Sequence, residues 1–284
     1  MTLNYDWLAR HLGGSVKSGV GLSGGDVAQS FRVDLTDGRA VFAKTNHDPP
    51  PHFFTTEATG LRWLSEPAAV RVPEVLAVAD DPPILVLEWI ETNPRRVPDE
   101  RAFGRELAEL HRAGFERFGR LDERTTGSRA LPNVQCDDWV EFFAINRLEP
   151  LGRLTGDAGI LDSEARAGLR TIVSRLADLA GPAESPARLH GDLWAGNRMV
   201  DRNGDSWLID PASFGGHREF DLAMMRLFGG FGPDAFASYS EVFPLADGWE
   251  HRIQLWQLAP LLVHAIKFGG HYIDAAKKVI DRFT

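Results

Sequence analysis

The stretch from Arg188 to Asp221, RLHGDLWAGNRMVDRNGDSWLIDPASFGGHREFD, constrains this chain more than any other. It contains Asn203-Gly204, a strong hairpin signal because both residues tolerate positive φ. A two-residue turn there pairs Arg202 with Asp205, Val200 with Trp207 and Met199 with Leu208. Carried outward, the ladder sets Asn197 opposite Asp210, and cross-strand partners share a face with Cβ atoms about 5 Å apart. Two oxygen-bearing side chains at one open end suit a hard cation. Mg²⁺ takes one or two such ligands and fills its shell with water and phosphate oxygens. Asp192, five residues before Asn197, can reach the same mouth through a short loop and accept a proton from an attacking hydroxyl. Any one of the three would read as a turn cap. Together around one turn they read as a catalytic set, with Asp192 as base and Asn197 and Asp210 as magnesium ligands. Asp221, which precedes an apolar helix, either caps that helix or braces the loop.

The pattern Asp-x-x-x-x-Asn, followed by a strand ending in Asp, resembles the catalytic loop of protein kinases. Here the loop reads His190-Gly191-Asp192 without the usual Arg, and Asp210 continues as Pro211-Ala212. The first third of the chain supplies a matching half. FRVDL (31–35) and AVFAK (40–44) are strand-like runs joined by Thr36-Asp37-Gly38-Arg39, and 75–79 and 84–90 read as two more strands. Between them a helix is expected over about 53–65. It puts Phe54, Glu57, Leu61 and Leu64 on one face. A carboxylate on an apolar stripe is costly unless paired, and Lys44 at the end of AVFAK is the natural partner for Glu57. Ahead of these strands runs GVGLSGGDVAQS, where the amides of Gly24, Gly25 and Asp26 can cradle phosphates or form an ordinary turn. Glu88-Trp89-Ile90 closes the first third and offers backbone hydrogen bonds to adenine. After Ile90 the spacing turns helical, as in Phe103, Leu107 and Leu110 or Leu169, Ile172, Val173 and Leu176. The expected fold class is α+β with two lobes. A small antiparallel sheet lobe with one helix (1–90) holds nucleotide, and a larger, mainly helical lobe (91–284) holds the catalytic residues and the acceptor. Asn93-Pro94 marks the join, and 119–136 is expected to be a loop.

Composition narrows the partners. A chain of 284 residues, 43% hydrophobic and 25% charged, can bury a full core. A net charge of −9 argues against nucleic acid, which needs a basic face. No apolar run reaches the roughly 18 residues that span a bilayer. The N-terminus lacks the pattern of a signal peptide, and the single cysteine, Cys136, excludes an intrachain disulfide. The expectation is a cytoplasmic monomer without nucleic-acid or membrane partners.

The chain resembles the fructosamine kinases, or ketosamine-3-kinases, of the aminoglycoside-phosphotransferase branch of the protein-kinase-like fold. The resemblance rests on LHGDLWAGN (189–197) and IDPASFGGHREFDLAMMRLFGGF (209–231), with DDWVEFFAINRL (137–148) and LVHAIKFGGHY (262–272) in support. It implies ATP-dependent, magnesium-dependent phosphorylation at O3 of a ketosamine, free or protein-bound, whose decomposition then frees the amine. It implies Asp192 as base, Asn197 and Asp210 on magnesium, a Lys44–Glu57 pair, a hinge at Glu88, Trp89 and Ile90, and sugar contacts from Trp194 and His264. Some relatives carry a cysteine in the Gly-rich loop. Asp26 stands there, so a regulatory disulfide is not expected. A kinase for an aminoglycoside, choline or homoserine, and a nucleotide-binding pseudokinase, stay open as alternatives. A protein kinase does not fit, since no activation-loop Arg pattern is present.

Overall fold

The structure, a computed structural model, describes residues 3–23, 28–93, 95–120 and 131–284. It begins with α1 (Tyr5–Leu12). Asn4 caps this helix by accepting from the Trp7 amide at 2.9 Å, and Gly13 closes it at φ 65°. A five-stranded antiparallel sheet follows, in spatial order β1-β2-β3-β5-β4. Its strands are β1 (Val16–Leu22), β2 (Gln29–Leu35), β3 (Ala40–Thr45), β4 (Val75–Asp80) and β5 (Pro83–Glu88), with α2 (Phe53–Ser65) between β3 and β4. The β2–β3 hairpin turns at Thr36–Arg39, where the Leu35 amide donates to the Arg39 carbonyl at 2.8 Å. β5 ends at Glu88, two residues short of the expected 84–90 strand. β4 pairs only as far as Val75 opposite Leu87, so Trp89 and Ile90 have no partner strand there.

The period of two along β3 and β5 separates two apolar layers. Val41, Ala43, Ile84 and Val86 face Trp7, Leu8 and Leu12 of α1. Leu85 and Leu87 face the other way, against Phe54, Ala58 and Leu61 of α2. Lys44 pairs with Leu85 in the ladder, which puts its side chain on the α2 side of the sheet. The choice of face is therefore fixed by strand alternation, and each fully buried Leu or Phe that enforces it contributes about 1.5–3 kcal/mol.

The rest of the chain is mainly helical. α3 (Glu100–Arg112) is capped by Asp99, which accepts from the Ala102 amide. A long helix runs as α4 (Trp139–Phe143), a π-helical turn (Ala144–Leu148) and α5 (Glu149–Asp157). Then come α6 (Ser163–Ser174), α7 (Leu176–Leu179), α8 (Glu219–Leu227), α9 (Pro233–Val242), α10 (Trp249–Phe268) and α11 (His271–Phe283). Two short antiparallel pairs lie between α7 and α8: β6 (Ala187–Leu189) with β9 (Phe214–Gly216), and β7 (Arg198–Val200) with β8 (Ser206–Leu208). The β6–β9 pair lies outside the 198–210 element expected from sequence, because three-residue strands leave almost no alternation to detect. Part of the expected 119–136 loop, 121–130, lies outside the described residues. Its ends are tied down by bridges of Phe118 to Cys136 and Gly119 to Gly215. No helix among the described residues is long and apolar enough to cross a membrane.

Two cores hold these helices. One is aromatic: Trp139 stacks on Phe142, Phe143 and Phe214 and meets Trp256 edge-on. The other joins Trp63 and Leu64 of α2 to Phe103 and Leu107 of α3 and includes Leu193 and Leu208. This second core ties the loop after β6, and strand β8, to the helix that carries Glu57.

Beside the aromatic core, Glu184 takes a two-pronged bond from Arg218, with Nε and Nη2 both at 2.7 Å. Burial alone would push the Glu184 carboxyl up, but the Arg218 bonds and nearby positive charge hold it below 4.5. A depressed carboxyl stabilises the fold fully above its unfolded value, and this contribution disappears as pH falls through the folded value. Glu184→Gln should therefore cost about 1–2 kcal/mol at neutral pH, and the gap to wild type should close below 4.5. Urea unfolding at neutral and acid pH checks this. A gap that stays constant would sink the assignment.

Candidate active site

The hairpin that carries the predicted trio forms, but one residue out of the expected register. β7 and β8 pair Arg198 with Leu208, Met199 with Trp207 and Val200 with Ser206. The cause is Asp201. Its carboxylate accepts from the amides of Asn203, Gly204 and Asp205 at 2.8, 3.1 and 3.0 Å. Its own amide donates to the Asp205 carbonyl at 3.0 Å. That network closes a three-residue turn, Arg202-Asn203-Gly204, with Gly204 at φ 98°. Asn197 consequently faces Ile209, whose amide donates to the Asn197 carbonyl at 3.0 Å, and not Asp210. Asp210 comes one residue later and adopts φ 53°. This left-handed conformation is one that Asp tolerates better than most residues, and it turns the chain sharply before Pro211. Asn197 and Asp210 still line one cleft together with Asp192.

Asp192 and Asn197 touch directly. The Asn197 Nδ2 donates to the Asp192 carbonyl at 2.8 Å and to its Oδ2 at 3.1 Å. With the nitrogen committed, Asn197 Oδ1 is the atom available to a cation. The loop before Asp192 is fixed from behind. Asp221, fully buried at the start of α8, accepts from the His190 amide at 2.7 Å and the Gly191 amide at 2.9 Å. Of the two roles the sequence allowed for Asp221, bracing is the one its contacts serve. His190 fits one neutral tautomer: Nε2–H donates to the Ile209 carbonyl at 2.9 Å, and Nδ1 accepts from the Asp192 amide at 3.3 Å. Burial pulls the imidazole below its ordinary value, more than the nearby Asp221 charge raises it.

Gly191 sits at φ 80°, and a Cβ there would lie 2.2 Å from the Ala212 carbonyl oxygen. Gly191→Ala should thus lower the melting temperature and kcat together, since both the backbone angle and the contact to Ala212 oppose a side chain. Unchanged thermal unfolding would count against this account of the loop.

Burial pushes the Asp192 carboxyl up to about 7. The Asn197 hydrogen bond opposes this, and the charges of Asp210 and Asp221 add to it. A carboxyl with a value near working pH suits a general base.

On the sheet side, Lys44 Nζ donates to Glu57 Oε1 at 2.8 Å and is ion-paired to Asp210 Oδ1. Lys44 and Glu57 are both buried, at 8% and 4% exposure, so neither charge would survive there unpaired. Burial alone would depress the Lys44 ammonium, but the two carboxylates raise it. Glu57 is raised by burial first and by the Asp210 charge, against the pull of Lys44. One lysine thereby links α2 to the Asp that follows β8. The donor set fits magnesium: Asp210 has one oxygen on Lys44 and a second to offer, and Asn197 offers Oδ1. Among the described residues no group of three or more His, Cys, Asp or Glu forms a metal cage. Two protein oxygens fit a cation that completes its shell with phosphates and water.

All of this opens on one cleft of about 930 Å³. Its sheet side is lined by Phe42, Leu87, Glu88, Trp89 and Ile90, which brings the expected hinge residues to the same cavity as Lys44. Trp89 is held by Arg32 over its ring at 4.7 Å and by an Nε1 bond to Glu91 at 2.9 Å. Gly24, Gly25 and Asp26 lie outside the described residues. On the helical side, Trp194 is 39% exposed and meets Phe228 edge-on at 6.0 Å. His264 follows at 4.9 Å from Phe228, then Phe268 and Tyr272, forming an aromatic wall. The His264 Nδ1 bonds the Pro260 carbonyl at 2.8 Å, and burial lowers its ring below the ordinary value. Arg147 also lines the cleft. Sequence reading passed over it. The available signal was a lone cation inside the apolar run WVEFFAINRL.

The sequence profile of the fructosamine kinase family matches residues 3–284. This chain belongs to the fructosamine kinase family. It is accordingly a phosphotransferase of the protein-kinase-like fold acting on a hydroxyl group. Among its relatives, the chloroplastic protein-ribulosamine 3-kinase of Oryza sativa subsp. japonica is 34% identical, over 94% of this chain and 79% of that one. The crystal structure of a candidate fructosamine-3-kinase from Thermobifida fusca YX-ER1 superposes with a TM-score of 0.92 at 35% identity, covering 99% of this chain and 98% of that one. A thermostable mutant of aminoglycoside phosphotransferase APH(4)-Ia, in ternary complex with AMP-PNP and hygromycin B, shares the fold alone. It is 16% identical, has a TM-score of 0.64, and covers 100% and 98% of the two chains.

Proposed function

We propose that this fructosamine kinase family member transfers the γ-phosphoryl group of Mg·ATP to the O3 hydroxyl of a ketosamine. The phosphorylated adduct then decomposes and releases the amine, which makes the reaction a deglycation repair. The observation that carries the reading is the continuous chain Glu57–Lys44–Asp210 meeting Asp192–Asn197 in one cleft. The rice relative's name as a 3-kinase and the nucleotide analogue held by the distant aminoglycoside phosphotransferase support it.

In this reading residues 1–90 hold nucleotide and 91–284 the acceptor. The backbone of Glu88, Trp89 and Ile90 meets adenine, the role assigned to Gly24 and Gly25, which lie outside the described residues, is to offer amides to the phosphates, and Lys44 neutralises phosphate charge while Glu57 keeps it aimed. Asn197 and Asp210 would hold the magnesium ion, which neutralises charge on the phosphates. Asp192 orients the acceptor hydroxyl and takes its proton, and its raised carboxyl is matched to that task. Trp194 and His264 line the acceptor side, where the indole face packs on the sugar.

The test is incubation of purified protein with Mg·ATP and a panel of ribulosamines, erythrulosamines and fructosamines, together with an aminoglycoside, choline and homoserine, followed by mass spectrometry. A phosphate on the ketosamines alone is expected. Phosphate on another acceptor class, or ADP release with none, would replace the reading.

A further inference from the structure

Arg147 lines the cleft, and the proposed chemistry leaves it unused. It is 3% exposed, yet it lines the cavity. Its hydrogen bonds go only to neutral oxygens: Nη1 to the carbonyls of Pro132 and Asn146 at 2.6 and 2.9 Å, and Nη2 to Asn133 Oδ1 at 2.8 Å. Its Nε–H has no acceptor among the described residues, and no carboxylate among them pairs with it. The guanidinium packs over Phe142 at 4.8 Å and Phe214 at 4.4 Å. A buried cation without a counter-charge is costly. Here burial alone draws the guanidinium down to about 9, so it remains charged at neutral pH. The backbone that presents it is also irregular, since Arg147 lies in the π-helical turn Ala144–Leu148. Such turns occur frequently at functional sites. Next to it, the Nδ2 of fully buried Asn133 has no partner among the described residues.

We infer that Arg147 forms an anion subsite in the acceptor half of the cleft, and that it receives the α-carboxylate of a ketosamine built on a free apolar amino acid. The inference rests on the ketosamine reading. Geometry selects the amine half of the substrate. Phe214 joins Arg147 to the catalytic loop, because a Cβ on Gly191 would lie 3.0 Å from the Phe214 ring. Leu131, Phe220, Met224 and Ala259 line the same cleft and pack with Phe214 in one apolar cluster. With O3 at Asp192, the amine substituent can leave in two directions. It can pass out over the exposed rim of Trp194 and Phe268, as a protein-bound lysine must, or turn inward to Arg147. Apolar walls and a cation that no carboxylate among the described residues compensates match an apolar side chain with a carboxylate. They match neither a polyol end nor a second cation. A guanidinium with a free N–H binds such a carboxylate strongly.

The test compares fructosyl-L-leucine, its carboxamide, and a fructosyl-lysine inside an end-capped peptide as acceptors for the full chain with Mg·ATP. The free acid should exceed the amide in kcat/KM by roughly tenfold or more, the worth of a hydrogen bond to a charged group, with the difference in KM and kcat little changed. Arg147→Met should bring the acid down to the amide's value and leave the amide within about twofold. Arg147→Lys, which keeps the charge, should recover part of the preference. Equal kcat/KM for acid and amide in the wild-type protein overturns the subsite, whether or not the variants fold. If no ketosamine is phosphorylated, the proposed function fails instead. Calorimetry with N-acetyl-L-leucine and its amide then decides the subsite separately: tighter binding of the acid supports it, and equal binding rejects it.

Discussion

Replacing Asp192 with alanine should lower kcat by roughly 10²–10⁴-fold, the usual worth of a positioned general base, while ATP binds as before. The expectation follows from how the cleft divides its tasks. The groups proposed to hold nucleotide are Lys44, the hinge from Glu88 to Ile90, and the oxygens of Asn197 and Asp210. Asp192 is the group proposed to meet the acceptor. Asn197 loses one of its two bonds to Asp192 in this variant, but keeps the one to the backbone carbonyl at 2.8 Å, so its Oδ1 stays in place. Steady-state rates with a ketosamine, together with an equilibrium ATP titration, check the split. Turnover within tenfold of wild type would place the base elsewhere. An equal loss of ATP affinity would mean that Asp192 acts on the nucleotide.

The second large effect is expected at Asp221, which is fully buried behind the loop that carries Asp192. Its carboxylate, fully buried, accepts from the buried amide of His190 and the half-buried amide of Gly191, and lies 3.3 Å from buried His111 Nε2. His111 is held in turn by the Tyr239 hydroxyl at 2.8 Å. Asp221→Ala strands a buried amide, a half-buried one and a buried imidazole, and a buried group left without a partner costs about 1–3 kcal/mol. A loss on the order of 3–5 kcal/mol in urea unfolding should accompany a fall in kcat that exceeds any change in KM for ATP. Asp221→Asn keeps one acceptor oxygen and should fall between. A variant that folds and turns over normally would show that the loop before Asp192 is held by its own hydrogen bonds to Ile209 and Ala212.

Much of the sheet half was legible because its signals are local. Strand alternation and a four-residue turn predict β2 and β3, and the apolar face of α2 shows Glu57 as an anomaly that needs a cation. The boundary of β5 was less legible, because a strand ends where its neighbour stops pairing. That depends on Val75, far from Glu88 in sequence. The β6–β9 pair was not legible, since three residues carry no period and the partners are held together by the aromatic core around Trp139.

That Asp192, Asn197 and Asp210 share one cleft was readable from spacing around Asn203-Gly204, which fixes a turn by backbone conformation alone. Their arrangement was not. The Asp201 side chain enlarged the turn and moved the register by one, so Asn197 meets Ile209 and Asp210 reaches Lys44 only through a left-handed backbone angle. Nothing local marks that outcome, because the Asp201 bonds and the pull of Lys44 are side-chain interactions. Arg147 marks the same boundary. In sequence it is one charge in an apolar helix, and only tertiary packing shows that no carboxylate among the described residues meets it. Propensity and periodicity record what a residue requires of its neighbours along the chain. The charges that face one another across a cleft are set by how distant elements pack.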